Sequence, residues 1–241
     1  MMKIAAAIAG LMAAFCVSAV YADLSMIQKQ TMVTSKNGKV TDTKIDTATF
    51  WIGSDRLRME GKKGAVLLRL DKNVINMIDN EKKSYQEIPM SALAGASDKS
   101  ADKNPASAMM GNLFKMEITV SPTQETKKIG TWNCARFNET IKMMGATTEA
   151  ELWTTEDVKV SQEIFKKFYS SMFLKNPSTK DMAAKLMKEY EKIKGFIVFS
   201  KSVTKVAGKD ILTTLEIVNV KDGVAPANSY DVPANFKQKK W

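Results

Sequence analysis

Histidine is absent from this 241-residue chain, and cysteine occurs only twice, as Cys16 and Cys134. The first absence excludes Ser-His and Cys-His nucleophile activation and any imidazole-based metal site. The second leaves too few thiolates for a metal cage or a C-x-x-C redox motif. No phosphate loop, G-x-S-x-G elbow or S-x-x-K signature with supporting context occurs. What remains for catalysis is a carboxylate pair or Ser/Lys chemistry. Glu149 and Glu151 alternate toward the face of Trp153, and Glu156 and Asp157 come at the turn beyond. Carboxylates at this spacing on a strand are ordinarily solvated. The chain is therefore expected not to be an enzyme, with no catalytic residue, no cofactor and no metal ligand.

The chain opens MMKIAAAIAGLMAAFCVSAVYAD, one lysine and then an uncharged apolar run that ends at Val20-Tyr21-Ala22. This is the pattern of a secretory signal peptide with a small-residue cleavage site, and the cut is expected after Ala22. Phe15 precedes Cys16, whereas a lipoprotein signal needs a small residue there. The expectation is a soluble exported protein, periplasmic or secreted, with 219 residues after cleavage. That length fits one large β-rich domain over residues 23–241. Cys16 leaves with the signal, so no disulfide is expected within the chain. The mature chain would carry a net charge of +9. Outside the cytoplasm, anionic lipid head groups or polyanionic envelope polymers are the fitting partners rather than nucleic acid. A basic surface that only keeps the protein soluble is the plainer alternative.

Strand signals dominate the chain beyond its N-terminal apolar run. LSMIQKQTMVTS and KVTDTKIDTATFWIGS are rich in β-branched and aromatic residues and flank Asn37-Gly38, a hairpin turn pair. DRLRMEG, AVLLRLD, NVINMID and SYQEIPM are four short runs separated by turn sequences, so residues 24–90 read as an antiparallel meander. Residues 91–112 are dominated by Ala, Ser, Asp and Lys and read as a long loop with one or two short helical turns. Strands resume at FKMEITVSP, QETKKIG, TWNCARFNETIKMMG and TEAELWTTED. A helical pair is expected over 159–194. Val160, Ile164, Phe168 and Met172 recur four apart, and Phe165 and Phe173 widen the stripe. Pro177 is read as the stop between the helices, Ser178 or Thr179 as the next N-cap, and Gly195 as the end. The strands GFIVFSKSVTKV and DILTTLEIVNV turn at Ala207-Gly208-Lys209. The terminal SYDVPANFKQKKW is a basic-aromatic tail that can touch a membrane surface, with fraying as the default. The class is α+β, mainly antiparallel β, with the helices expected over the concave face of a long curved sheet. That cover is either ordinary core packing or one wall of a ligand cavity.

Thirteen of the sixteen methionines lie beyond the expected cut. Methionine fills irregular space and suits promiscuous binding surfaces, but it serves a loosely specified core equally well. Trp51, Trp132 and Trp153 fall in strands, where core packing is the default. Trp132 and Cys134 share one strand face and Phe137 takes the other. Cys134 is thus expected to be a buried small hydrophobe, with an intermolecular disulfide or redox sensing as the alternatives.

Four segments in this order resemble a family of exported bacterial proteins, a domain of unknown function. They are FWIGSDRLRMEG, VLLRLDKNVINMIDNEKKSYQEIP, IGTWNCARF with ELWTTED, and YDVPANF. The third carries a Gly-x-x-Cys-x-x-aromatic element, here Gly130, Cys134 and Phe137 with one extra residue after the glycine. That family is similar in architecture to the periplasmic lipoprotein carriers and their outer-membrane receptors. The resemblance implies an unclosed, strongly curved β-barrel whose concave side, covered by helices, holds acyl chains. On this footing the expected ligand is a lipid, acyl chain or other apolar molecule. Trp51, Phe165, Phe168 and Met172 would line its site, and Arg56 and Arg58 would meet an anionic head or ester oxygens. A monomer is expected, with contact to a membrane surface or envelope protein open to it. The alternative is an envelope interaction or structural module with a solid core.

Overall fold

In the computed structural model, which describes residues 23–94, 117–143, 145–160 and 177–240 apart from the side chains of 93–94 and 177–183, turn chemistry sets the sheet. Asn37 and Gly38 both adopt left-handed backbone, φ 52° and 73°, and join β1 (Leu24–Lys36) to β2 (Lys39–Ile52). Two left-handed residues in a row give the hairpin turn whose twist matches its strands. Ala207 and Gly208, φ 49° and 70°, do the same between β10 (Phe196–Val206) and β11 (Lys209–Asp222). The short strands β3 (Arg56–Gly61), β4 (Gly64–Arg69), β5 (Val74–Asp79) and β6 (Ser84–Pro89) complete the expected meander. The second half contributes β7 (Glu117–Ile129), β8 (Trp132–Met143) and β9 (Ala146–Thr155). The two runs expected around Pro122 are one strand, broken in register between Pro122 and Thr126.

The strands form one twelve-stranded sheet in the order β12-β6-β5-β4-β3-β2-β1-β11-β10-β9-β8-β7. The two meanders meet where β1 pairs with β11, and the outermost strands stay unpaired to each other, so the sheet is not closed. All pairs are antiparallel except β12 (Lys237–Lys239), which lies parallel to β6. The tail expected to fray is thus a short edge strand. Ile88 near one edge and Val120 on the other belong to the same buried cluster, which requires the sheet to curl around its core. At the β7 edge, the Val120 N–H donates to Glu189 Oε2 at 2.7 Å, and Lys192 Nζ donates to the Val120 carbonyl at 3.3 Å. Occupied edge groups cannot template another chain.

Two helices are described, α1 (Met90–Ala94) and α2 (Pro177–Tyr190). Pro177 is the first residue of α2, so Ser178 and Thr179, expected as its N-cap, lie inside it. Proline lacks the N–H that the first helical turn leaves unpaired anyway, so the first position suits it. The helix stops at Tyr190, short of Gly195, where φ is +83°. A Cβ on Gly195 would collide with the Thr155 carbonyl, so the chain re-enters the sheet where only glycine fits. Tyr190 and Ile193 join the sheet's core. Residues 1–22, most of the 91–112 loop, residues 161–176 of the helix expected from 159, and Trp241 lie outside the described residues, while Lys159 and Val160, where that helix was expected to begin, are not helical. Cover of the concave face by a helical pair therefore remains an expectation.

Cys134 is a free thiol, 3% exposed, packed in the core, and burial pushes its pKa up. A thiol held neutral and out of water reacts only when the fold opens. Labelling of the folded protein by a thiol reagent is expected to run roughly a thousandfold slower than in denaturant. Prompt stoichiometric labelling under native conditions would contradict this packing.

Candidate functional site

Strand register explains where this molecule has room. Successive strand residues point to opposite faces, so the pairings sort side chains into rows. One row on the core side runs Met26, Phe50, Met59, Val66, Met77 and Gln86, ending at Lys239. The next row runs Gln28, Ala48, Gly61, Gly64, Asp79 and Ser84. Three of these six are glycine or alanine. A row of small residues beside a row of large ones leaves a trench, and a trough of about 640 Å³ lies there. That volume falls in the range of small-molecule sites, about 300–1,000 Å³.

The trough's apolar floor includes Ala48, Met59, Val66, Met77 and Leu215, with Gln28, Gln30 and Gln86 among its polar groups. Lys62 and Lys63, in the turn between β3 and β4, Lys82, in the turn between β5 and β6, and Lys239 also line it, as do Asp46 and Asp79. Asp79 is already engaged. It accepts the Lys82 N–H at 2.8 Å and pairs with Lys82 Nζ at 3.2 Å, and the Lys82 backbone bond holds its pKa below the usual range.

The expected site residues fall elsewhere. Trp51 and Arg58 are cross-strand partners on the opposite face, against the C-terminal tail. Arg58 donates to the carbonyls of Ser229 at 3.3 Å and Asp231 at 3.1 Å, and pairs with Glu60 at 3.0 Å. Arg56 bonds Asp55 at 2.8 Å, and its guanidinium lies 5.5 Å from the Tyr230 ring centroid. Trp51 packs beside the cluster of Ala65, Leu67, Ile78 and Tyr230. None of the three lines the trough. Their task is to hold a tail strap, because β3 turns these positions outward and the tail crosses that face. Phe165, Phe168 and Met172 lie outside the described residues. Of the carboxylates weighed for catalysis, Glu149 is exposed and Glu151 sits 3.8 Å from Arg136.

Three features were not singled out from sequence. Arg69, 8% exposed, grips Asp71 through two bonds of 2.8 and 2.6 Å and donates to the Tyr230 carbonyl at 2.8 Å and to Asp231 at 3.0 Å. Burial and the Asp23 carboxylate beside it push the Tyr230 hydroxyl pKa up. Glu139 is buried in the other half of the sheet. Desolvation raises its pKa to about 7 against the opposing pull of a Tyr190 hydrogen bond. The small-residue row is the third. Its signal was present, since two-residue turns at Lys62-Lys63 fix Gly61 opposite Gly64 and the rows are set from there.

A family model described as a domain of unknown function, DUF4412, matches residues 30–236. Comparison with curated proteins gives no match. Among solved structures, PNGF-II in two space groups is similar at TM-scores of 0.37 and 0.35, each with 15% identity. These overlaps take in 89% and 90% of this chain but 31% and 32% of PNGF-II, so the chain spans about a third of its length. A LolA superfamily protein from Nitrosomonas europaea is similar at a TM-score of 0.29 and 9% identity, over 86% of this chain and 90% of that one.

Proposed function

Since the chain belongs to the DUF4412 family, whose function is unknown, we propose from the site itself that it is a non-enzymatic binding protein that holds the apolar chain of a lipid-like ligand on the concave face of its sheet. The trough carries this reading: about 640 Å³, floored by methionine and aliphatic side chains and bounded by polar groups. Met59 and Met77 suit a flexible chain because the thioether adapts to irregular contours. Burying apolar surface there gives about 25 cal/mol per Å², non-directionally, so chain length matters more than chain identity. The N-terminal segment supports an exported, periplasmic setting, where such ligands have to cross water.

Native mass spectrometry of the full chain tests the reading, together with thermal unfolding in the presence of fatty acids. Bound amphiphile or a ligand-dependent rise in Tm is expected. A chain that carries none and gains no stability from any of them refutes it and favours an interaction module.

A variant separates the trough from the rest of the surface. A Cβ on Gly61 meets only the Gly64 carbonyl, at 3.9 Å, so Gly61→Leu fits the strand and fills the trench. It is expected to weaken ligand binding about tenfold or more while changing stability by no more than about 0.5 kcal/mol. Undiminished binding by a folded Gly61→Leu protein would place the ligand elsewhere.

A further inference from the structure

The trough's lysines differ in how they are engaged. Lys82 is bound to Asp79 at 3.2 Å, and Lys63 faces Glu81 at 3.7 Å. Lys62 and Lys239 are exposed, and among the described residues neither has an acidic partner. Lys239 is not at the trough by chance. It lies opposite Gln86 in the parallel pairing of β12 with β6, and the Lys240 carbonyl accepts from Gln86 Nε2 at 3.1 Å. Alternation then puts Lys239 on the trough side and Gln238 on the other, where Tyr85 Oη lies 3.4 Å from its Oε1. Four lysines therefore line the trough beside Asp46 and Asp79, and two of the four have no acidic partner among the described residues.

The trough, about 640 Å³ and open to solvent, has room for one long chain behind the head.

Resting on the chain-holding reading, we infer that the ligand is a single-chain amphiphile with an anionic head, a carboxylate or a phosphate monoester, whose oxygens meet Lys62 at one end of the trough or Lys239 at the other while its chain lies over Met59, Val66 and Met77. Unpaired ammonium groups and a head of opposite charge give charge-assisted hydrogen bonds. A neutral head would leave the lysines as they are and gain nothing from them.

The experiment compares hexadecanoate and hexadecyl phosphate with methyl hexadecanoate and hexadecanol, below micelle formation, on the full chain and on Lys62→Gln/Lys239→Gln. Both lysines are exposed, so the variant folds as the parent does. The anionic ligands are expected to bind about tenfold tighter than the neutral ones at low salt. The double variant should bring the anions down to the neutral level and leave the neutral ligands unchanged. Acetate and inorganic phosphate should not compete. Equal binding of charged and neutral ligands overturns the inference and leaves the chain-holding reading intact. So does a double variant that weakens all four alike, or competition by the head-only anions. If none of the four binds, both readings fall. Preference for one anionic head over the other identifies its source as a fatty acid or a phosphate ester.

Discussion

Glu139 is expected to contribute about 3 kcal/mol of folding stability below pH 4.5 that is lost by about pH 8, and Glu139→Gln is expected to remove that pH-dependent difference. Glu139 is 8% exposed on β8, opposite the buried Val120 and Ala150. Desolvation disfavours its carboxylate and raises the pKa from 4.5 to about 7, and the Tyr190 hydrogen bond offsets only part of that. The sign comes from proton counting. Between the two values the folded protein holds a proton on Glu139 that the unfolded chain has lost. Stability contributed by the neutral form is complete below the unfolded pKa and lost as pH rises through the folded one. Glutamine keeps the shape and an acceptor for Tyr190 without a charge to desolvate. Chemical denaturation of both proteins across this window isolates the effect, because the salt-bridged carboxylates of Asp42, Asp71 and Glu189, whose pKa values are lowered, titrate alike in each. Parallel pH profiles for the two proteins would show that Glu139 is ionised in the folded state.

Arg69→Ala is expected to cost about 2–3 kcal/mol and to free the C-terminal tail. The guanidinium organises a buried corner, with Asp71 held in a bidentate fork and the Tyr230 carbonyl and Asp231 bound from the tail. Removing it leaves the Tyr230 carbonyl without its donor and Asp71 without its cation, where Arg69 holds the Asp71 pKa low. The Asp231 side chain is 56% exposed, so water recovers much of that pair and keeps the loss below that of a fully buried one. Arg69→Lys should recover little, since an ammonium cannot make the planar fork. Limited proteolysis supplies a second readout. The variant should be cut within residues 224–236 under conditions that leave the parent intact. Because β12 comes directly after that strap, its release also withdraws Lys239 from the trough, and the preference for anionic ligands should shrink. An Arg69→Ala protein that keeps both stability and tail protection would contradict the strap.

The sequence was readable where one residue decides local geometry. Asn37-Gly38 and Ala207-Gly208 marked their turns, and alternation gave the meander of residues 24–89. Cys134 was readable too, because a small apolar side chain on a strand with no histidine to engage it packs in the core by default. The start of the second helix was placed late, at Ser178 or Thr179, because proline suits both the residue after a helix and the first position of the next. Arg56 and Arg58 illustrate a different limit. Their strand and spacing were clear, but which face of β3 is covered by the tail depends on contacts 171 and 173 residues away. The trough sits between these cases. Its small-residue row is fixed by turn lengths once β3 to β6 are paired, while the methionine content alone pointed at positions scattered over the chain. Glu139 gave no signal, since a glutamate in a strand reads as solvated until the core around it is known.

Photo-crosslinking with hexadecanoate bearing a diazirine near its chain terminus tests the central claim most directly. Adducts are expected on peptides of β3, β4 and β5 that carry Met59, Val66 and Met77, competed by unlabelled hexadecanoate and reduced in Gly61→Leu. Adducts confined to the outward face around Trp51 and Tyr230, or spread over the surface and indifferent to competitor and variant, would contradict the account.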